Sequence, residues 1–290
     1  MLLVKHPISL VVAFVVGAAA CFVVGVAGGS ALAGMLGVVS PRVAMGVVSA
    51  VSGGLLLCWS ALLLRQRGES LAALGLPVNR SRLGMFGSGL LVGVAIYFVI
   101  ASLQATAVGA PWQFNGLSGV LDALSGLPVV ASMVLAEELL FRGVGLLALR
   151  KVAGDRAAII LSATCFGAYH LIGSDYWGMG AVFHFGMPAL AGLLFGWSAI
   201  RSGGLALPIG LHLGANWVQA NLVVFHPASA VPDLLNGVFL ISVSPLVVQR
   251  LIAPDLVTHI PHLMALSLGT AAVWMICRRH PSRGPMNAWR

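Results

Sequence analysis

Charge is what this 290-residue sequence has least of. Only 8% of its residues are Asp, Glu, Lys or Arg, and lysine occurs twice; soluble globular domains carry about 25%. With 59% hydrophobic residues and a mean hydropathy of +0.99, a water-soluble domain is excluded. The apolar runs approach or exceed the roughly 18 residues that cross a hydrocarbon core. The alternating segments of about 10 residues that a lipid-embedded barrel needs are missing, so the expected fold is all-α: a polytopic helical membrane protein of about eight transmembrane helices. Cysteine is also sparse. Cys21, Cys58, Cys165 and Cys277 lie in hydrophobic stretches without CxxC spacing and read as small buried hydrophobes, neither disulfides nor ligands. The soluble metalloprotease signature HExxH is absent, as is any repeat of solenoid period. The net charge of +8 comes from 14 Arg and 2 Lys clustered at the ends of apolar runs. They read as topology anchors, and no nucleic-acid partner is implied.

What is present is a series of expected spans near 8–28, 43–64, 83–108, 127–149, 157–172, 180–200 and 205–225, then an ambiguous apolar region over 235–277. The first run follows Lys5 but is too long for the core of a signal peptide, and Ala18-Ala19-Ala20-Cys21 lacks the aliphatic residue of a lipoprotein cleavage box. Three parts are expected: N-terminal spans over 1–126, a core over 127–225, and a C-terminal segment with a basic tail over 226–290. The linkers 65–82 and 150–156 are basic, whereas 109–126, 173–179 and 226–236 carry Asp122, Asp175 and Asp233 and no Lys or Arg. The positive-inside rule therefore places both termini in the cytoplasm, with a bacterial inner membrane as the expected location. Nine crossings would leave the tail outside. One of 237–250 and 260–277 is thus expected to be re-entrant or interfacial, and Pro245, Pro254 and Pro261 make that break plausible.

Inside the run 127–149 sit Glu137 and Glu138, followed by Arg142. A charge at the bilayer centre costs at least about 2.5 to 3.5 kcal/mol, so three ionisable groups on one apolar helix point to chemistry or transport. Glu138 and Arg142 are spaced i,i+4 in the favourable order and are expected to pair. Adjacent helical residues point about 100° apart, so the two Glu side chains are not expected to face one site, and Glu137 is left for the reaction. A second cluster, Phe166-Gly167-Ala168-Tyr169-His170, sets a ring and an imidazole on one stripe. A third, His212-Leu213-Gly214-Ala215-Asn216, sets an imidazole and an amide on another. Each alone is as easily a structural helix-to-helix contact. Together, two carboxylates, two imidazoles and an amide on three helices provide what hydrolysis inside a membrane requires.

The ordered series EExxxR, FxxxH and HxxxN resembles the glutamate-type intramembrane endopeptidases grouped as CAAX protease and bacteriocin-processing enzymes, also called the Abi family, which includes the type II CAAX prenyl endopeptidases. The resemblance covers about 127–225, with the Gly-rich Ala189–Gly196 stretch between the second and third motifs sharing the family's character. It implies that Glu137 activates water, that His170 helps to hold that water, and that His212 and Asn216 stabilise the oxyanion. Glu138 and Arg142 would then fix the helix, and Phe166 would wall the cavity. A desolvated carboxylate suits a general base, and preorganised donors act strongly where water is excluded.

The expected enzyme is an endopeptidase acting on a hydrophobic or membrane-associated peptide in contact with the lipid bilayer, without a cofactor. Bacteriocin-type peptides or membrane-protein regulators are better expected substrates than prenylated ones. The alternative cofactor is Zn, held by Glu137, His170 and His212; Asn216 is a poor zinc ligand and a good oxyanion donor, which favours the metal-free mechanism. From other classes, a proton-coupled transporter would relay protons through buried Glu and His, and a non-catalytic immunity or scaffold protein would keep only the fold. His184 reads first as a hydrogen-bonded core residue. Trp112, Trp177, Trp217 and Tyr176 read as interfacial anchors, and Glu69 and Asp155 as members of solvated surface pairs. His6, His226, His259, His262 and His280 are assigned no role. Helical rise sets Glu137 about 15 Å from one end of its span, with His170 and His212 in opposite halves of theirs, so the depths do not match on a simple reading.

Overall fold

The structure, a computed structural model, describes residues 6–227, 237–244, 256–279 and 286. Among the described residues eight α-helices dominate: α1 Pro7–Met35, α2 Pro41–Gln66, α3 Arg80–Ala107, α4 Gly116–Arg142, α5 Val144–Tyr169, α6 Met179–Ser202, α7 Ala206–Trp217 and α8 Leu256–Arg279. The starts are written in the sequence. His6 and Ser40 cap α1 and α2 ahead of Pro7 and Pro41 at the first helical position, and the Asn79 carboxamide accepts the Arg82 amide at 3.0 Å to open α3. Among the described residues six helical segments are long and apolar enough to cross a membrane, with Gly116–Tyr169 comprising α4 and α5 together. The chain is an all-α polytopic membrane protein.

Several expectations shift. The helix expected over 127–149 stops at Arg142, because Gly143 leaves the helical region at φ −72°, ψ −137°. A Cβ there would strike the Leu139 carbonyl. The expected loop 150–156 lies within α5, which turns at Gly154 with φ 77°, a left-handed conformation that glycine alone adopts freely. The expected span 205–225 is helical only to Trp217. A π-helical turn, Val218–Leu222, then leads into strand β2, Val223–Pro227. With β1 Trp112–Phe114 and β3 Phe239–Val243 it forms a small sheet of order β1-β3-β2, antiparallel between β1 and β3 and parallel between β2 and β3. β-branched and aromatic residues dominate these strands, which is why a fold read as purely helical carries them. Of the two ambiguous C-terminal segments, 239–243 is this strand and 260–277 lies in α8; Pro245, Pro254 and Asp233 fall outside the described residues.

A helix pair in backbone contact, α3 and α7, positions the site. Gly89 and Gly93 on α3 face Gly210 and Gly214 on α7, and a Cβ on any of the four would press into the opposing backbone. Small residues four apart let helix backbones approach in lipid, where there is no hydrophobic drive between helices. The result holds α7 in the interior, with residues 206–214 all buried. The cysteines depart from expectation in part: Cys277 is buried, but Cys58 and Cys165 lie on the outer surface, and all four thiols are free.

Candidate active site

Glu137 and Glu138 occupy the last turn and a half of α4, just before the break at Gly143. Glu138 and Arg142 are both 0% exposed and pair as expected, Arg142 Nη1 donating to Glu138 Oε1 at 3.1 Å. The guanidinium also lies 4.2 Å from the Phe166 ring centroid, a cation–π contact that helps offset its desolvation. His212, 3% exposed in the middle of α7, donates from Nδ1 to the same Glu138 oxygen at 2.8 Å. That bond leaves Nε2 as acceptor, and Asn216 Nδ2 donates to it at 3.1 Å.

Glu137 is the principal correction. Both carboxylates face one ring: Glu137 Oε2 lies 3.5 Å from His212 Nε2, and that oxygen is buried without a hydrogen-bond partner. A side-chain separation of about 100° was the right geometry with the wrong consequence. An imidazole presents nitrogens on two edges, so one ring set between adjacent carboxylates meets both.

His170 caps the C-terminal end of α5, where its Nδ1 donates to the Phe166 carbonyl at 2.8 Å, leaving Nε2 free as an acceptor. The side chains meet despite the depths expected of them, and the rings of Phe166 and His170 are 4.6 Å apart. The rings of Phe141 and Phe166 are 5.2 Å apart, and those of Phe166 and His212 5.7 Å.

His170, His212, Asn216 and Phe166 line one cavity of about 480 Å³. Glu137 lines a second, apolar pocket of about 470 Å³ between α1, α2 and α4, together with Tyr169. Glu137 thus stands in the partition, with one oxygen towards His212. The structure brings Glu137, Glu138, Arg142, His212 and Asn216 into one contact network and sets His170 on the wall of the cavity that His212 floors.

Two residues read as bland belong to this cavity. His184 lies on its wall with its ring 4.3 Å from that of Tyr176, and Tyr176 is at the rim instead of serving as an anchor alone. Tyr169, next to His170 in the second motif, was missed; it packs edge-on against Phe141, His170 and Phe22. Trp217 is likewise no surface anchor, since its indole donates inward to the Ala123 carbonyl at 2.8 Å. Asp155 pairs with a buried partner, Arg150, at 2.8 Å. Among the described residues no three His, Cys, Asp or Glu side chains are grouped to hold a metal ion.

The fold and site define an all-α integral membrane protein with a buried acid–imidazole–amide cluster at the floor of a cavity. Residues 119–218, about a third of the chain, match the family model of the type II CAAX prenyl endopeptidases described as Rce1-like, and all three motifs fall inside that stretch. The family resemblance carried by the motifs is shown by this match, which supports a membrane peptidase acting on a membrane-associated substrate. No curated protein and no solved structure matches the chain.

Proposed function

We propose that the protein is an endopeptidase that hydrolyses a peptide bond of a hydrophobic or membrane-associated peptide within the cavity floored by His212. The observation that carries the reading is the engagement of His212 on both edges, by Glu138 at 2.8 Å on one side and by Asn216 and Glu137 at 3.1 and 3.5 Å on the other.

In the proposed mechanism Glu137 accepts a proton from a water molecule that His170 Nε2 helps to hold, and the resulting hydroxide attacks the scissile carbonyl. Asn216 uses its second amide hydrogen for the developing oxyanion. His212, steadied on Nδ1 by Glu138, accepts one Asn216 amide hydrogen on Nε2 and so aims the other at the same oxygen. Collapse of the tetrahedral intermediate breaks the C–N bond, and the proton on Glu137 passes to the leaving amine. The buried Glu138–Arg142 pair keeps α4 and the imidazole in register, so donors are aimed before substrate arrives. No step calls for a metal ion.

Bacteriocin-type peptides and membrane-protein regulators are the proposed substrates. A bacterial inner membrane with cytoplasmic termini is the proposed setting, and 127–225 is the proposed catalytic core. The test is incubation of purified protein with a mixture of apolar peptides, read by mass spectrometry. New termini that appear with the wild-type protein and not with Glu137→Gln support the reading. Absence of cleavage, together with pH-gradient-driven uptake in proteoliposomes, would replace it with a carrier.

A further inference from the structure

The two ends of the helix bundle differ in both charge and closure. At one end lie Arg65, Arg67 and Arg80 around the α2–α3 linker, with Arg150, Lys151 and Arg156 in α5. This end is closed. The amides of Leu205 and Ala206 donate to the carbonyls of Leu74 and Gly75 at 2.9 and 3.1 Å, drawing the α2–α3 linker across the base of α7. Arg82 Nη1 donates to the Ser202 carbonyl at 3.0 Å. Met286, fully buried, donates to the Gly203 carbonyl at 3.2 Å and accepts from Arg150 Nη1 at 2.8 Å. Leu74, Leu205 and Ala206 are 0% exposed, so the described residues pack apolar side chains across this base.

At the other end lie the sheet, the turn 170–178 and the N-terminal half of α6. Among the described residues its only Lys or Arg is Arg42, which is turned inward to the Ala220 carbonyl at 3.3 Å. The cavity lining passes from buried to exposed residues in this direction. Its floor, at Phe166, Leu211 and His212, is buried, whereas its walls rise through Met187 and His184 to Tyr176, which is 36% exposed. Charge asymmetry and cavity shape are independent observations. Positive charge marks the cytoplasmic ends of membrane helices.

We infer that the cavity is sealed towards the cytoplasm and opens to the non-cytoplasmic face and the adjoining outer half of the bilayer through a mouth formed by Tyr176 and His184. This rests on reading the cavity as the reaction site. It narrows the substrate to one class: peptide segments presented on the far side of the membrane, in exported polypeptides or in the outer ends of membrane-anchored ones. A bond that stays in the cytoplasm is not reached.

The experiment reads access and not activity, so it fails or succeeds separately from the peptidase assignment. Cys21, Cys58, Cys165 and Cys277 are replaced by Ala in the full-length protein. Single cysteines are then introduced as His184→Cys in the mouth, Trp177→Cys on the exposed turn beside it, and Lys151→Cys at the closed end. Each is treated with a membrane-impermeant maleimide in right-side-out and in everted vesicles. The inference expects His184→Cys and Trp177→Cys to label in right-side-out vesicles and Lys151→Cys only in everted ones. Trp177→Cys alters a surface residue and reads the orientation even where His184→Cys disturbs the cavity. Labelling of either mouth position chiefly in everted vesicles overturns the inference, as does a His184→Cys thiol closed to the reagent from both sides.

Discussion

His212 Nδ1 lies 2.8 Å from Glu138 Oε1, and this contact joins the two functional halves of the site. It ties the last turn of α4 to the middle of α7 and sets the tautomer that leaves Nε2 facing Asn216 and Glu137. The same carboxylate oxygen takes the Arg142 guanidinium, so one buried anion orders a cation and an imidazole.

That sharing makes the pair costly to break. Glu138→Gln leaves Arg142 uncompensated with no solvent exposure, and removing one partner of a buried pair costs about 3 to 5 kcal/mol. The double variant Glu138→Gln/Arg142→Met is expected to be less destabilised than Glu138→Gln alone. Thermal unfolding of the three proteins in one detergent measures this, and a double variant at least as unstable as the single would refute the pairing.

His212 and Asn216 are expected to act on the chemical step. Asn216→Ala should lower kcat by about 100- to 1000-fold, the usual loss of one oxyanion donor, with KM changed far less. Steady-state kinetics on any cleaved peptide separate the two constants. A defect confined to KM would assign Asn216 to substrate binding.

The glycine seam between α3 and α7 predicts a distant effect. Gly93→Val places a branched side chain against the backbone of Leu211 and Ala215, which forces α7 away and carries His212 with it. Overpacking of this kind typically costs about 1 to 3 kcal/mol. Activity and melting temperature should both fall, although the residue lies outside the three motifs. Gly84→Val, on the same helix with open space around its Cβ, should leave both nearly unchanged.

Chelators should have no effect. Dialysis of the purified enzyme against a strong zinc chelator is expected to leave its cleavage rate intact. A loss restored by added zinc would return Glu137, His170 and His212 to the role of ligands.

Much of this site could be read before the fold was known, because intramembrane charge is so expensive that its few instances stand out. The Glu138–Arg142 pair followed from i,i+4 spacing alone, and the three motifs fell on three helices as expected. Glu137 and Glu138 share a site against the expectation, because helical angles describe one helix and say nothing of a ring on another that spans the gap. The helical stretch over 150–153 is hidden because its charged residues read as a loop, and Gly154, whose positive φ turns α5, is one glycine among 36. Gly89, Gly93, Gly210 and Gly214 carried a usable signal in their spacing of four, missed because each lay in a run already explained as a span. The strands were hidden by hydrophobicity, which a buried helix and a buried strand share.

The most direct test of the account is single-turnover hydrolysis of a cleaved peptide by the wild-type protein and by Glu137→Gln, with binding and melting temperature measured on both. A near-isosteric amide keeps the packing and removes the base, so the rate should fall by at least about 100-fold while binding and stability stay close to wild type. A Glu137→Gln protein that cleaves at the wild-type rate would contradict the account.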